Sequence, residues 1–275
     1  DCLMSADRFR FFLHPPLPKR RFMDFGYTPQ QEKLRDEVQA FIAEHVTQDV
    51  LDELESSEEG GRGVHFRELI QKAAERDWIG ISWPVEYGGQ GGSRLDQYII
   101  EEEFARLGIA IGGAGSGAPA ILAAGTEEQK QHFIPGLING EIIFALGFTE
   151  PQAGADLAGL QCRAVRDGDE YVINGQKMYT SAAHYATHLY LMCRTDPDAP
   201  RHRGISIFLV PMDTPGISVR PLWTIQNDPP APVGTTYGMA RTNETFLENV
   251  RVPASAMLGE ENSGWYVGAM GLNLD

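Results

Sequence analysis

"LQCRAVRDGDEYVING", Leu160 to Gly175, alternates through Val165, breaks at Asp167-Gly168 and resumes at Tyr171 to Ile173. A period of two puts successive side chains on opposite faces of a strand. Asp-Gly between two such runs predicts a hairpin, because both residues tolerate the positive φ of a tight turn. Asn174-Gly175 predicts another turn. Further on, "LYLM", "ISIFLV", "ISVRPL" and "TFLENV" supply more short strands, separated by loops containing Pro and Gly. Asp228 to Pro232, "DPPAP", reads as an exposed loop.

Upstream of Gly140 the spacing is helical. Thr28-Pro29-Gln30-Gln31 combines a threonine cap, proline at the first helical position and a glutamine placed to close a capping box. Leu34, Val38, Phe41, Ile42 and Val46 then form one apolar stripe, and Phe66, Leu69, Ile70, Ala73 and Ala74 form a second. Another helix is predicted from Ser93, with Glu101-Glu102-Glu103 as its mostly solvated face. Thr126-Glu127-Glu128-Gln129 is a second capping box, and Pro135-Gly136 is expected to close that helix. Helices first and strands later define an α+β chain. An all-helical domain over residues 23–142 precedes an antiparallel β-barrel or sandwich domain over 143–258. The tail "GEENSGWYVGAMGLNLD" turns helical again. Residues 259–275 therefore read as the truncated start of a C-terminal helical domain, since so short a helix is hard to stabilise alone.

The 275 residues are enough to bury a core without disulfides, and a net charge of −15 argues against nucleic acid as a partner. No apolar run reaches membrane-spanning length. Cys2, Cys162 and Cys193 have no metal-ligand spacing and read as buried thiols in a reducing compartment, which points to the cytoplasm. Residues 1–22 are basic against an acidic remainder; they are expected to lie outside the fold, with Met23 as the natural start.

No GxGxxG between strand and helix, no GxxxxGK[ST], no HExxH and no GxSxG occurs. The glycine-rich run Gly108 to Ala120 lies between helices and reads as close helix packing. His184 and His188 stand four apart in a strand or loop pattern, so no metal site is expected. Two polar stretches remain. "GFTEPQAGADLAGLQ", Gly147 to Gln161, is too polar for a core strand and too broken by Pro151 and Gly154 for a helix. "NGQKMYTSAAHYA", Asn174 to Ala186, ends a strand with an aromatic and two hydroxyls. An aromatic wall, hydroxyl donors and free turn amides suit a planar cofactor carrying a pyrophosphate; two ordinary loops of a β domain fit the spacing as well.

"PVEYGGQGGS", "GTEEQKQHFIPGLINGE", "FTEPQAGADL", "YVINGQKMYTSA", "GISIFLVPMDTPGI" and "FLENVRVPASAMLGEENSGW" follow one another in the order of the flavin-dependent acyl-CoA dehydrogenases. The chain resembles that family from Tyr27 almost to Asp275. The resemblance implies FAD held against the β domain and dehydrogenation of an acyl-CoA thioester between its α and β carbons. A glutamate takes the α proton, and electrons pass on to an electron-transfer flavoprotein. Oligomers of like or unlike dehydrogenase subunits are also implied.

Carried over by position, the resemblance makes Leu146, Phe148, Thr149, Gly154 and Ala155 one cofactor-binding stretch and Tyr179, Thr180 and Ser181 the other. Thr149 would meet the ring edge. Ala155 would also face substrate, and it stands where relatives commonly carry serine. Tyr179 and Ser181 replace the tryptophan and threonine common at those positions, keeping an aromatic wall and a hydroxyl. Glu150 reads as a buried or capping carboxylate. The catalytic base is unassigned. Most of the family places it far along the C-terminal domain, and a minority branch places it early, where Asp275 falls. Two alternatives stand beside an incomplete, inactive dehydrogenase chain. One is a non-catalytic subunit that needs a partner chain; the other is a relative with different flavin chemistry.

Overall fold

Thr28 opens the first helix as its spacing predicts: its hydroxyl accepts from the Gln31 amide at 3.3 Å and the Gln31 side chain accepts from the Thr28 amide at 2.9 Å. The same reciprocal box starts two more helices, with Ser93 and Asp96 at one and Thr126 and Gln129 at the other. In the computed structural model, which describes residues 26–55, 63–111, 117–222 and 242–272, the helical part comprises six helices among those residues. They are α1 (Pro29–His45), α2 (Gln48–Glu55), α3 (Val64–Ala74), α4 (Arg94–Ala105), α5 (Ala118–Ala124) and α6 (Glu127–Ile138). The apolar stripes bury as expected, with Val38 and Phe41 on α1 and Phe66, Leu69 and Ala73 on α3. No helix among the described residues is long and apolar enough to cross a membrane.

Two expectations for this part are corrected. Helix α6 does not stop at Pro135-Gly136 but runs through both to Ile138. Proline costs one backbone hydrogen bond. Burial of Ile134, Leu137 and Ile138 outweighs that loss, and Ile142 packs so closely on Gly136 that a Cβ there would meet it at 2.5 Å. The acidic run on α4 is not a solvated face throughout, because Glu103 is only 5% exposed. Arg35 donates to it at 2.8 Å and Gln39 at 3.0 Å, both from α1.

Burial opposes the Glu103 charge, but hydrogen bonds from Gln39 and Arg35 and the charges of Arg106 and Arg35 outweigh it and lower its pKa. An acid with a depressed folded pKa stabilises above its unfolded value, about 4.3, and loses that contribution as pH falls through the folded value. The stability gap between wild type and Glu103→Gln is therefore expected to be full at neutral pH and to shrink below about pH 4. Parallel denaturant titrations at the two pH values measure it; a gap unchanged by acid would contradict the pairing.

The strands are β1 (Phe144–Gly147), β2 (Arg163–Asp167), β3 (Glu170–Lys177), β4 (His188–Arg194), β5 (Ile205–Pro211), β6 (Ile217–Leu222), β7 (Thr242–Pro253) and β8 (Met257–Leu258), followed by α7 (Gly264–Leu272). The sheet order is β6-β7-β3-β2-β4-β5-β8, with β1 alongside β4. Pairing is mostly antiparallel; β1 and β2 each meet β4 in parallel. Asp167-Gly168 does make the β2–β3 hairpin, with Asp167 opposite Glu170.

Asn174-Gly175 is not a turn. β3 continues straight through it against β7, and the register shift leaves Glu248 and Asn249 of β7 facing the single residue Asn174, so the β-bulge lies on β7, where Asn249 has φ +51°. Cys162 lies so close that a Cβ on Gly175 would sit 2.7 Å from its Sγ. The Asn174 side chain accepts from the Asn249 amide at 2.9 Å. A waiting partner strand overrode the local hairpin signal and took up the extra residue itself.

β4 and β5 are covered on both faces. Leu189, Leu191, Phe208 and Val210 point into one core with Tyr171, Ile173 and Val250. Tyr190, Met192, Ile207 and Leu209 point the other way and join the core of Val38, Phe41, Phe104 and Ile134. Strands buried on both faces read as unbroken apolar runs, which explains "LYLM" and "ISIFLV". In the glycine-rich run, expected to pack closely against helices, an added Cβ at Gly117 would instead meet Phe144 of β1 at 2.9 Å, and one at Gly108 would meet nothing within 4 Å. Asp228 to Pro232 and Asp275 lie outside the described residues.

Candidate functional site

β1 and β3 are not neighbours in the sheet, yet the segments that follow them meet. The Met178 amide donates to the Thr149 carbonyl at 2.8 Å. Beyond Thr149, Glu150 and Ala153 exchange backbone hydrogen bonds of 3.1 and 3.0 Å, which folds Pro151-Gln152 into a tight turn. That turn throws Gly154 and Ala155 outward. Both are exposed, open space surrounds Gly154, and their amides have no partner among the described residues. Leu146 and Phe148 are half-buried, and Phe148 tilts against Tyr190 with ring centroids 5.6 Å apart.

The second segment is pinned at its end. Thr180 and Asn243 exchange bonds, amide to carbonyl at 2.9 Å and side-chain amide to carbonyl at 3.1 Å. Ser181 is exposed, with its hydroxyl 3.3 Å from that of Thr242. Thr180 is fully buried and its hydroxyl has no partner among the described residues. Tyr179 is 57% exposed and sits at φ +54°. A non-glycine residue in that left-handed region is strained by about 1–2 kcal/mol. Replacing Tyr179 by glycine relieves that strain but adds freedom to the unfolded chain, so stability is expected to stay within about 1 kcal/mol of wild type. Any ligand-binding loss in that variant then reports on the ring alone; a large drop in melting temperature would show that the ring is a packing residue.

The expected Glu150 carboxylate is indeed structural. It is 3% exposed and accepts from the amides of Gln161 and Cys162 at 2.6 and 2.9 Å and from the Gln152 side chain at 2.7 Å. Its fourth donor was not anticipated: Lys177, 0% exposed, reaches Glu150 Oε1 at 2.8 Å and also donates to the Phe148 carbonyl at 3.1 Å. Period-two counting from Tyr171 and Ile173 lands on Lys177, so the signal was a lysine on an inward-facing position.

Cys162 and Cys193 lie beside the pair, both buried, with Sγ atoms 3.8 Å apart; burial and the neighbouring Cys162 raise the Cys193 thiol well above its ordinary pKa. His184 and His188 have different partners. Asn243 donates to His184 Nδ1 at 3.0 Å, leaving its proton on Nε2, and burial lowers its pKa. His188 packs among His132, Phe133 and Phe144. A cavity of 510 Å³ opens beside the second segment, between α3, the α6–β1 connection and His184-Tyr185.

The two joined segments therefore present an exposed aromatic ring, two residues with hydroxyls (Thr149 and Ser181) and, past the Pro151-Gln152 turn, two backbone donors without partners among the described residues. Residues 28–141 match the model of the acyl-CoA dehydrogenase N-terminal domain and residues 145–235 that of the middle domain. Acyl-CoA dehydrogenase FadE26 of Mycobacterium tuberculosis is 43% identical over 249 residues, spanning 88% of this chain and 59% of that protein. Mitochondrial isovaleryl-CoA dehydrogenase of Pongo abelii is 33% identical over 258 residues, 91% of this chain and 57% of that protein. Among solved structures, the ChsE4-ChsE5 complex of Mycobacterium tuberculosis matches with a TM-score of 0.79 at 40% identity, covering 92% of this chain and 62% of that one. The Tcur3481-Tcur3483 steroid ACAD matches with a TM-score of 0.77, also at 40% identity and with the same coverage. The chain thus spans about three-fifths of the length of these relatives, 59% in the first case. Two domain models of one family lie in order along the sequence, and the fold is shared at 40% identity; the chain belongs to the acyl-CoA dehydrogenase family.

Proposed function

We propose that this chain provides the flavin-facing and thioester-facing surfaces of an FAD-dependent acyl-CoA dehydrogenase. The observation that carries the reading is the junction of the two segments, where the Met178 amide meets the Thr149 carbonyl and brings Tyr179, Ser181 and Thr149 to one rim. Members of the family use FAD, which takes up the hydride that leaves the β carbon of an acyl-CoA. The residues present fit that group. Tyr179 supplies a flat wall, and Thr149 and Ser181 supply hydroxyls for the ring edge. Leu146 and Phe148 line the approach. The free amides of Gly154 and Ala155 suit the oxyanions of a pyrophosphate or the thioester end of a substrate. Thr180 contributes through its fixed backbone. No described residue is proposed as the base.

The domain plan is part of the proposal: helices over 23–142, the β domain over 143–258, and a third segment opening at 259. So are electron transfer to an electron-transfer flavoprotein, an oligomer of dehydrogenase subunits, and a cytoplasmic site, which the two free thiols support. One observation favours a second reading, a non-catalytic subunit paired with an unlike chain: the two 40% identical structures described above are named as two-component assemblies. The second of them is named a steroid enzyme, so steroid-linked acyl-CoA belongs among the substrates to test.

The test is visible spectroscopy of the purified protein with FAD, followed by anaerobic addition of straight-chain and steroid-linked acyl-CoA. Bound oxidised flavin that an acyl-CoA bleaches is the expected result. Bound flavin that no acyl-CoA bleaches until an unlike dehydrogenase chain is added favours the second reading. Absence of flavin binding under both conditions overturns the first.

A further inference from the structure

We infer that Lys177 is a positioning residue: its buried ammonium sets the spacing between the two segments that would face the flavin. The consequence for flavin rests on the proposed function; the clamp itself does not. Phe148–Ala155 and Tyr179–Ser181 leave strands that do not pair with one another. One backbone bond, from Met178 to Thr149, joins them, and a single bond leaves rotation about itself.

Lys177 removes that freedom. It binds the Phe148 carbonyl on one side of Thr149 and the Glu150 carboxylate on the other. Phe148, Thr149 and Glu150 are therefore each held, by Lys177 at the end of β3 and by Met178 just beyond it. That end of β3 runs directly into Met178 and Tyr179, so the clamp fixes the wall relative to the rim. The left-handed backbone of Tyr179 fits this account, because such strain persists only where the surroundings over-determine it. Stability alone does not explain a lysine at this position. A buried ion pair is often no more stabilising than well-packed apolar side chains of the same volume, so the pair's distinct contribution is geometric.

Three variants separate positioning from plain support. Lys177→Met removes the clamp and leaves the Glu150 carboxyl without its cationic partner. The double variant Glu150→Gln/Lys177→Met removes the clamp and also the unpaired carboxyl. Val38→Ala, remote in the helical core, lowers stability without touching the site. Hydrogen exchange is measured first, without flavin. The double variant is expected to regain much of the melting temperature lost in Lys177→Met, while amides of residues 148–150 and 178–181 still exchange about tenfold or more faster than in wild type.

FAD titration follows. Affinity is expected to fall roughly ten- to hundredfold in both clamp variants and to stay at the wild-type level in Val38→Ala. The inference is overturned if exchange at those amides returns to wild type in the double variant, or if FAD affinity recovers together with melting temperature. If the wild type takes up no FAD, the flavin reading fails, and the exchange measurement still decides the clamp.

Discussion

Glu150→Ala is expected to lower stability by about 3–5 kcal/mol, because it strands a buried ammonium without its counter-charge. Lys177 is 0% exposed, and without the carboxylate only the Phe148 carbonyl is left to it among the partners seen. The amides of Gln161 and Cys162 lose their acceptor in the same step. Cys162 is buried, so its unpaired amide adds a penalty of about 1–3 kcal/mol, whereas Gln161 is exposed and its amide can turn to water. For a domain of this size the melting temperature should drop by roughly 10 °C. Glu150→Gln should cost less, since its side chain can still accept from those amides. Equilibrium denaturation of the two variants checks the order. An alanine variant within about 1 kcal/mol of wild type would mean that Lys177 reaches solvent once its partner is gone.

Phe104→Ala is expected to cost about 3–5 kcal/mol, the range for deleting a buried aromatic ring. Phe104 is fully buried on α4 and meets Phe41 edge-on at 6.1 Å, and Phe41 in turn meets Trp78 at 5.0 Å. This core is continuous with the helix-facing side of the sheet, since Tyr190, Met192 and Ile207 belong to it. The loss should therefore appear in the sheet as well as in the helices. Fluorescence of the buried aromatics and far-ultraviolet circular dichroism should shift to the same new midpoint. Separate midpoints, with the sheet unmoved, would show that the shared core does not couple the two halves.

Much of the architecture was legible because its signals are local. Two capping boxes and the serine at Ser93 marked helix starts, since cap and acceptor lie three residues apart and need nothing else from the fold. Period two marked the strands from Leu160 onward, and the Asp167-Gly168 hairpin followed from the turn alone. The expectations that failed depended on a distant partner. Glu103 reads as solvated until Arg35 and Gln39 are brought to it from α1. Asn174-Gly175 reads as a turn until β7 lies alongside and pairs with it as strand. Pro135 reads as a stop until the residues around it are buried.

The site divides the same way. Glu150 stood out as a structural carboxylate because its neighbours, a proline and two glycines, announce a bent backbone. Its partner did not, although alternation places Lys177 on the buried face.

The sequence by itself determined the order of helices and strands, the chain's family likeness and the residue types at the two candidate stretches. Periodicity, caps and turn chemistry act over a few residues, and they survive reading one residue at a time. Only the tertiary structure decided that the segments after β1 and β3 share a rim, which Lys177 and Glu150 hold together from positions 27 apart. A buried charge is tolerable only where another part of the chain supplies its counter-charge and donors. That pairing becomes visible only when the chain has folded.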